Sequence, residues 1–282
     1  MKILVTGGNG FIGTNLVRKL TEEGHEVVSI DDLSNGSANN EVRRASYIYE
    51  DIEKISYFDG TEVDIVFHLA ALSRIQPSFN YPSEYFRVNT KGTEILADWA
   101  NQYKVKVIFA GSSSIHQNHL LSPYATYKYL AENILQMYKV VYGLDVHIAR
   151  FYNVYGPGEI QEGEFSSLLG VWKECIKNNE PLPIVGDGEQ VRDFTHVDDI
   201  VDGLIKISEY NSPENNVWEL GTGITHSVND VFTYFKDRYD CESINLPEQH
   251  GNYRESYRID NKALNLLEWK PKDRLQDYIK SL

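Results

Sequence analysis

Over the first 150 residues, short apolar runs alternate with stretches whose apolar residues recur at helical spacing. The spacing predicts strands at Lys2–Thr6, His25–Ile30, Val63–Leu69, Val105–Ala110 and Asp145–Phe151. Ile12, Leu16, Val17 and Leu20 line one face of a helix over residues 11–23, and Gly24 stops it. Two more helices are predicted at about 82–103 and 123–142. Strands separated by helices of this length form βαβ units, so the fold class is α/β with a doubly wound parallel sheet. After Asn153 the alternation weakens. Pro157, Pro181, Pro183, Pro213, Pro247 and Pro271 break the remainder into short segments, which suggests a smaller second lobe.

The first strand runs into Thr6-Gly-Gly-Asn-Gly-Phe-Ile-Gly13. Gly7, Gly10 and Gly13 fit a GxxGxxG loop, and Gly8, Gly10 and Gly13 fit GxGxxG. Glycines there permit a tight turn, close approach of a pyrophosphate to the backbone and close packing of helix on sheet. The helix N-terminus adds free N–H groups and a positive dipole end. In its strand–turn–helix setting the loop predicts a dinucleotide and a Rossmann-type sheet. The second strand ends in Ile30-Asp-Asp-Leu-Ser-Asn35. Asp31 suits the adenosine ribose hydroxyls and repels a 2′-phosphate, so NAD is expected rather than NADP. Asp32 reads better as a solvated turn residue.

Tyr124 and Lys128 stand four apart in Ser122-Pro-Tyr-Ala-Thr-Tyr-Lys128, which opens the helix at 123–142. That spacing puts phenol and ammonium on one face, with Cβ atoms roughly 5–6 Å apart. A tyrosine ionises near pH 10, about three units too high for a base at neutral pH. A neighbouring cation is expected to lower it. Among 19 tyrosines such a pair arises by chance, and Tyr138 and Tyr142 on the same helix read as core or surface aromatics. The glycine loop ahead of it is what gives this pair weight.

Composition narrows the setting. The 282 residues suit one large domain, or two sharing a cleft. Hydrophobic content of 41% with 24% charged residues fits a globular protein, and no apolar run is long enough to span a membrane. No signal peptide precedes the first strand, and Cys175 and Cys241 form no CxxC pair, which points to a cytoplasmic location. A formal charge of −14 argues against nucleic acid and anionic membranes as partners. His116 and His119 lie in a polar loop without a ligand cluster, so no metal site is expected.

These residues together resemble the extended short-chain dehydrogenase/reductase family, and within it the nucleotide-sugar epimerases and dehydratases of the UDP-glucose 4-epimerase type. The similarity also takes in Asp51-Ile52, Phe67-His-Leu-Ala-Ala71, Pro82–Thr93, Ser112-Ser-Ser114, Arg150-Phe-Tyr-Asn-Val-Tyr-Gly-Pro157, Gly186–Phe194 and Gly221-Thr-Gly223. The resemblance implies a Rossmann domain over 1–153 with a return segment at about 192–217, and a nucleotide-sugar lobe from 154–191 and 218–282. It implies that Gly7, Gly10, Phe11, Ile12 and Gly13 hold the NAD pyrophosphate. Asp31, Asp32 and Asn35 would serve the ribose end, and Asp51 with Ile52 the adenine. Leu69, Ala70 and Ala71 would line the cleft, with Asn89 mainly structural in the same wall. Phe151 and Val154 would approach the nicotinamide. Lys128 would bind the nicotinamide ribose. Ser112 would partner Tyr124, Ser114 would offer a second hydroxyl, and Asn153 and Arg192 would hold the diphosphate of a nucleotide-diphosphate sugar. Relatives commonly pair as homodimers through two helices, for which 82–103 and 123–142 are candidates.

The implied chemistry is epimerisation, most readily at C4 of a hexose through a 4-keto sugar. A 4,6-dehydratase remains an alternative, although such enzymes carry Asp-Glu after the serine where this chain has Ser113 and Ser114. A 4-keto-sugar reductase and a non-catalytic NAD-binding sensor are further alternatives. Two departures touch the substrate side. Ile115-His-Gln117 replaces a valine-tyrosine-glycine run, and Gln249 stands where the family often has a diphosphate-binding arginine, leaving Arg254 as a possible substitute.

Overall fold

The computed structural model describes residues 1–212 and 214–282; the predicted break at Pro213 lies outside the described residues. Thirteen strands are described in chain order. They are β1 (Lys2–Thr6), β2 (Glu26–Ile30), β3 (Ser46–Ile48), β4 (Ile65–His68), β5 (Lys106–Ser112), β6 (Val146–Phe151), β7 (Asn153–Tyr155), β8 (Leu182–Val185), β9 (Val191–His196), β10 (Val217–Leu220), β11 (Thr225–Ser227), β12 (Ser243–Leu246) and β13 (Glu255–Ser256). Seven of them form one sheet in the order β10-β6-β5-β4-β1-β2-β3, and every pairing in it is parallel. From β1 the chain winds outward to β3, then returns to β1's other edge as β4. The point of reversal lies between β1 and β4, where the glycine loop sits, and crevices at such points bind ligands.

Alternate residues of each strand enter opposite layers. Leu4, Val66, Val107, Phe109 and Ile148 pack on one face against Leu96, Ala97 and Trp99 of α4 (Gly92–Tyr103) and Ala131, Leu135 and Tyr138 of α5 (Pro123–Tyr142). On the other face Ile3, Val5, Phe67 and Ile108 meet Leu16, Val17 and Leu20 of α1 (Phe11–Glu22) and Ile200, Leu204 and Ile207 of α7 (Val197–Glu209). The numbering leaves room for α2 (Ile75–Asn80) and α3 (Pro82–Tyr85), which precede α4, and for α6 (Leu168–Asn178). The predicted helix at 82–103 is continuous but not uniform, because Phe86–Lys91 forms a π-helical turn between α3 and α4.

Ala263, Leu267 and Trp269 also join the second layer, so the chain returns to the large sheet more than once. A third core gathers Tyr155, Leu169, Trp172, Leu182, Phe194, Val231 and Phe235 under the small sheets built on β9 and β8. This second body meets the segments that follow β4 and β5 through Phe165, His250 and Ser256.

Candidate active site

The glycine loop fits a pyrophosphate. A Cβ on Gly13 would stand 2.0 Å from the Gly7 carbonyl oxygen, and one on Gly7, at φ +74, would stand 2.7 Å from the Ala70 nitrogen. Side chains are thereby excluded and backbone meets backbone. Gly10 caps α1 without a side-chain hydrogen bond, and no acidic residue enters the first turn, so its N–H groups remain available to an anion. A cavity of about 540 Å³ opens beside the loop. Gly7, Gly10, Asp31, Asp32, Asn35, Ile52, Leu69, Ala70 and Ala71 all line it. The chain's own residues therefore fit a dinucleotide.

Asp31 is buried, accepting from the Asn9 N–H at 2.9 Å and the Leu33 N–H at 2.8 Å. Burial raises its pKa while these two bonds oppose the rise. It therefore also ties the glycine loop to the end of β2. Asp32 is exposed and accepts from Ser34 N–H, the solvated turn expected. The Asp51 carboxylate is engaged by Arg87 at 2.7 Å and by the Glu53 N–H, which leaves Ile52 as that segment's contribution to the cavity wall. Asn89 is fully buried and clamps Leu72, accepting from its N–H and donating to its carbonyl, both at 2.8 Å. Its amide is spent on the wall rather than on a ligand. Phe11, Ile12, Phe151 and Val154 are partly buried against the second layer.

Ser122 caps α5 by accepting from the Ala125 N–H, and Pro123 follows at the first position, so the sequence fixes where this helix starts. Tyr124 and Lys128 are set by that start. Ser112, the last residue of β5, lies close enough to the Tyr124 phenol to lower its pKa by hydrogen bonding. Ser112 also shares a 2.9 Å hydrogen bond with Ser114, and Ser113 one of 3.2 Å with Ser256. Burial nevertheless pushes the phenol above its usual value. Lys128 is buried, donates to the Ala110 carbonyl at 2.9 Å and lies 4.9 Å from the Phe109 ring centre. Burial pulls its pKa down to about 8, with Glu132 opposing. Arg74 is a further cation whose charge favours the phenolate.

Arg74 was not singled out from the sequence. It caps α2 at φ +76 and ψ 145, close to backbone space that glycine alone occupies readily and that costs other residues about 1–3 kcal/mol. Its Nε donates to the Phe165 carbonyl at 3.0 Å. Tyr85 donates to the neighbouring Ser73 and Arg74 carbonyls, and its ring meets Tyr124 edge-on at 6.3 Å. Tyr253 is the other omission. Its ring lies 4.7 Å beneath the Arg192 guanidinium, and Ser113, Ser256 and Arg74 all act on its phenol. Neither tyrosine carries a motif signal in a chain with 19 of them. Arg192 donates to the Val191 and Tyr253 carbonyls and has no carboxylate partner among the described residues. Asn153 stands on β7 opposite Phe194 of β9, the strand that carries Arg192. Arg254, by contrast, forms a two-pronged pair with Asp187 on the surface, both contacts at 2.8 Å.

A profile described as the NAD dependent epimerase/dehydratase family matches residues 3–221. The chain belongs to that family. A UDP-glucose 4-epimerase of Mycolicibacterium smegmatis is 32% identical over 99% of this chain and 96% of its own length. The crystal structure of UDP-glucose 4-epimerase from Thermotoga maritima with UDP-glucose superposes with a TM-score of 0.92 at 33% identity, over 99% of this chain and 96% of the other. A UDP-N-acetylglucosamine 4-epimerase from Methanobrevibacter ruminantium gives a TM-score of 0.89 at 30% identity, again over 99% and 96%. The family is NAD-dependent and of extended short-chain dehydrogenase/reductase fold, and NAD is the chain's cofactor. Among the described residues no helix is long and apolar enough to cross a membrane, and no cluster of metal-ligating side chains occurs.

Proposed function

We propose that the protein is an NAD-dependent epimerase acting at C4 of the hexose of a nucleoside-diphosphate sugar. The observation that carries this reading is the make-up of the reacting end. Tyr124 is accompanied by the hydroxyls of Ser112 and Ser114, and the two buried carboxylates closest to this end, Glu132 and Glu159, are already committed. Glu132 is held by Arg150, and Glu159 by Lys173 and Ser167. Eliminating water from the sugar needs an acid and a base at C5 and C6. Reversible oxidation needs only one group that takes and returns the C4 hydroxyl proton.

In this reading Tyr124 takes that proton, with Ser112 hydrogen-bonded to the same oxygen. NAD, held by the glycine loop and Asp31, would supply the reversible hydride acceptor that the oxidation needs. Lys128 fixes the helix against β5 and offers its ammonium to the cofactor ribose. Arg192 and Asn153 hold the diphosphate, so that the keto sugar can turn about it. The relatives named for UDP sugars support a uridine nucleotide. A cavity of about 370 Å³ between Val185, Gln190, Gln249 and Asn252 supports a base-binding place in the smaller lobe.

Two helices support a homodimer. Phe86, just before α4, and Leu130, Met137 and Val140 on α5 are 39–81% exposed. Light scattering should give twice the 32.3 kDa chain mass, and Leu130→Asp with Met137→Asp should return a monomer. Free Cys175 and Cys241 support a reducing, cytoplasmic setting.

The test is a panel of UDP-hexoses incubated without added cofactor, with products resolved by NMR. A C4 epimer is expected. A 4-keto-6-deoxy product would establish the dehydratase instead, and no conversion of any sugar would overturn the enzymatic reading.

A further inference from the structure

Arg74 carries a charge that the fold leaves without a counter-charge. Its side chain is only partly exposed, and its one hydrogen bond joins Nε to the Phe165 carbonyl. Among the described residues no carboxylate pairs with it. Glu159, the acid whose field reaches it, is bound by Lys173 and Ser167. Its other neighbours, Tyr124, Tyr85 and Tyr253, are phenols. A half-buried cation without a partner is unfavourable, and its burial pulls the Arg74 pKa below the usual arginine value. The backbone at φ +76 would suit glycine better. A residue that strains its backbone to hold an unpaired charge at a reacting centre points to a ligand.

The substrate side supplies a second, independent reason. Gln249 carries no charge in the segment that lines the smaller lobe's cavity, and Arg254 beside it is drawn away to Asp187. Helix α2, which Arg74 begins, docks on that same segment: Gln76 donates to the His250 carbonyl at 2.8 Å, and Phe79 meets the His250 ring at 5.3 Å. Tyr253 feels both Arg192 and Arg74.

We propose that Arg74 is a substrate-binding residue whose guanidinium takes an anionic oxygen group of the nucleotide sugar. That group is either the diphosphate or the C6 carboxylate of a hexuronate beside Tyr124. Both offer paired oxygens that match the planar fork of arginine. The proposal rests on the nucleotide-sugar reading above and deepens it.

The test measures binding by calorimetry in the NAD-loaded Tyr124→Phe protein, where turnover does not interfere. UDP, UDP-glucose and UDP-glucuronate are compared with Arg74 intact, in Arg74→Gly and in Arg74→Gln. Glycine relieves the backbone, so the first variant should melt no lower than its parent. Glutamine keeps a donor for Phe165 but no charge. Both variants should lose at least about thirtyfold in affinity. A loss shared by all three ligands assigns the diphosphate, and one confined to UDP-glucuronate assigns the carboxylate. Affinities within twofold for all three, or a loss in Arg74→Gly that Arg74→Gln restores, would overturn the proposal alone. Failure of every ligand to bind with Arg74 intact would overturn the nucleotide-sugar reading as well.

Discussion

Lys128 donates from its ammonium to the Ala110 carbonyl at 2.9 Å, two residues before Ser112 on the same strand. This bond pins the first turns of α5 to the end of β5. The phenol of Tyr124 and the hydroxyl of Ser112 are thereby held in register by a residue that touches neither. One turn on, Glu132 is gripped by Arg150 through Nη2 at 2.8 Å and Nε at 3.1 Å. Arg150 also reaches Glu219, which accepts from Tyr152 and meets His116 at 2.9 Å.

The buried ammonium gives a pH signature. With a folded pKa of about 8 against 10.5 for the free side chain, the folded protein prefers neutral Lys128. Its contribution is fully present above the unfolded value and is lost as pH falls through the folded one, so stability rises between about pH 8 and 10.5. Lys128→Met removes that rise. Differential scanning calorimetry should show the variant gaining on the wild type at pH 7 and losing that advantage by pH 10. A difference independent of pH would contradict the burial argument.

Tyr124→Phe keeps the ring against Tyr85 and removes only the hydroxyl. Sugar conversion should fall by about 10²–10⁴, the range for a general base. Affinity for NAD should change little, because the glycine loop and Asp31 are untouched. A variant that still turned over at more than a tenth of the wild-type rate would exclude Tyr124 as the base.

Asp31→Ala should act on cofactor and fold together. It leaves the Asn9 and Leu33 N–H groups without their acceptor, at a cost of about 1–3 kcal/mol in urea denaturation. NAD affinity should fall, and the preference for NAD over NADP should narrow at least about tenfold. Unchanged preference in fluorescence titrations would move the ribose contact elsewhere.

In the network behind the site, Arg150→Met strands two buried carboxylates, whereas Glu132→Gln strands none. Removing one partner of such a pair costs about 3–5 kcal/mol. Arg150→Met should therefore destabilise the protein clearly more than Glu132→Gln. Equal losses in chemical denaturation would show that Glu219 is satisfied by Tyr152 and His116 alone.

The sheet was legible because its strands are buried on both faces and bounded by glycine and helical repeats. The strands Ser46–Ile48 and Val217–Leu220 were not, being three and four residues long with little alternation of their own. The glycine loop and the Tyr124–Lys128 pair were legible because their roles follow from spacing along one element. What spacing does not give is the partner across the layer: Lys128 donates to the Ala110 carbonyl of β5. Arg74 and Tyr253 reach the site from segments about fifty and one hundred and thirty residues from Tyr124, brought there only by tertiary folding. His116 read as a loop histidine, and its partner Glu219 lies on a strand that the sequence did not announce.

The central claim is that hydride leaves C4 of the sugar and returns to C4. UDP-glucose deuterated at C4 and incubated in ordinary water tests it most directly, with the product read by NMR and mass spectrometry. The expected product is a C4 epimer with its deuterium still at C4. Deuterium at C6 of a 4-keto-6-deoxy sugar, or its loss to water, would contradict it.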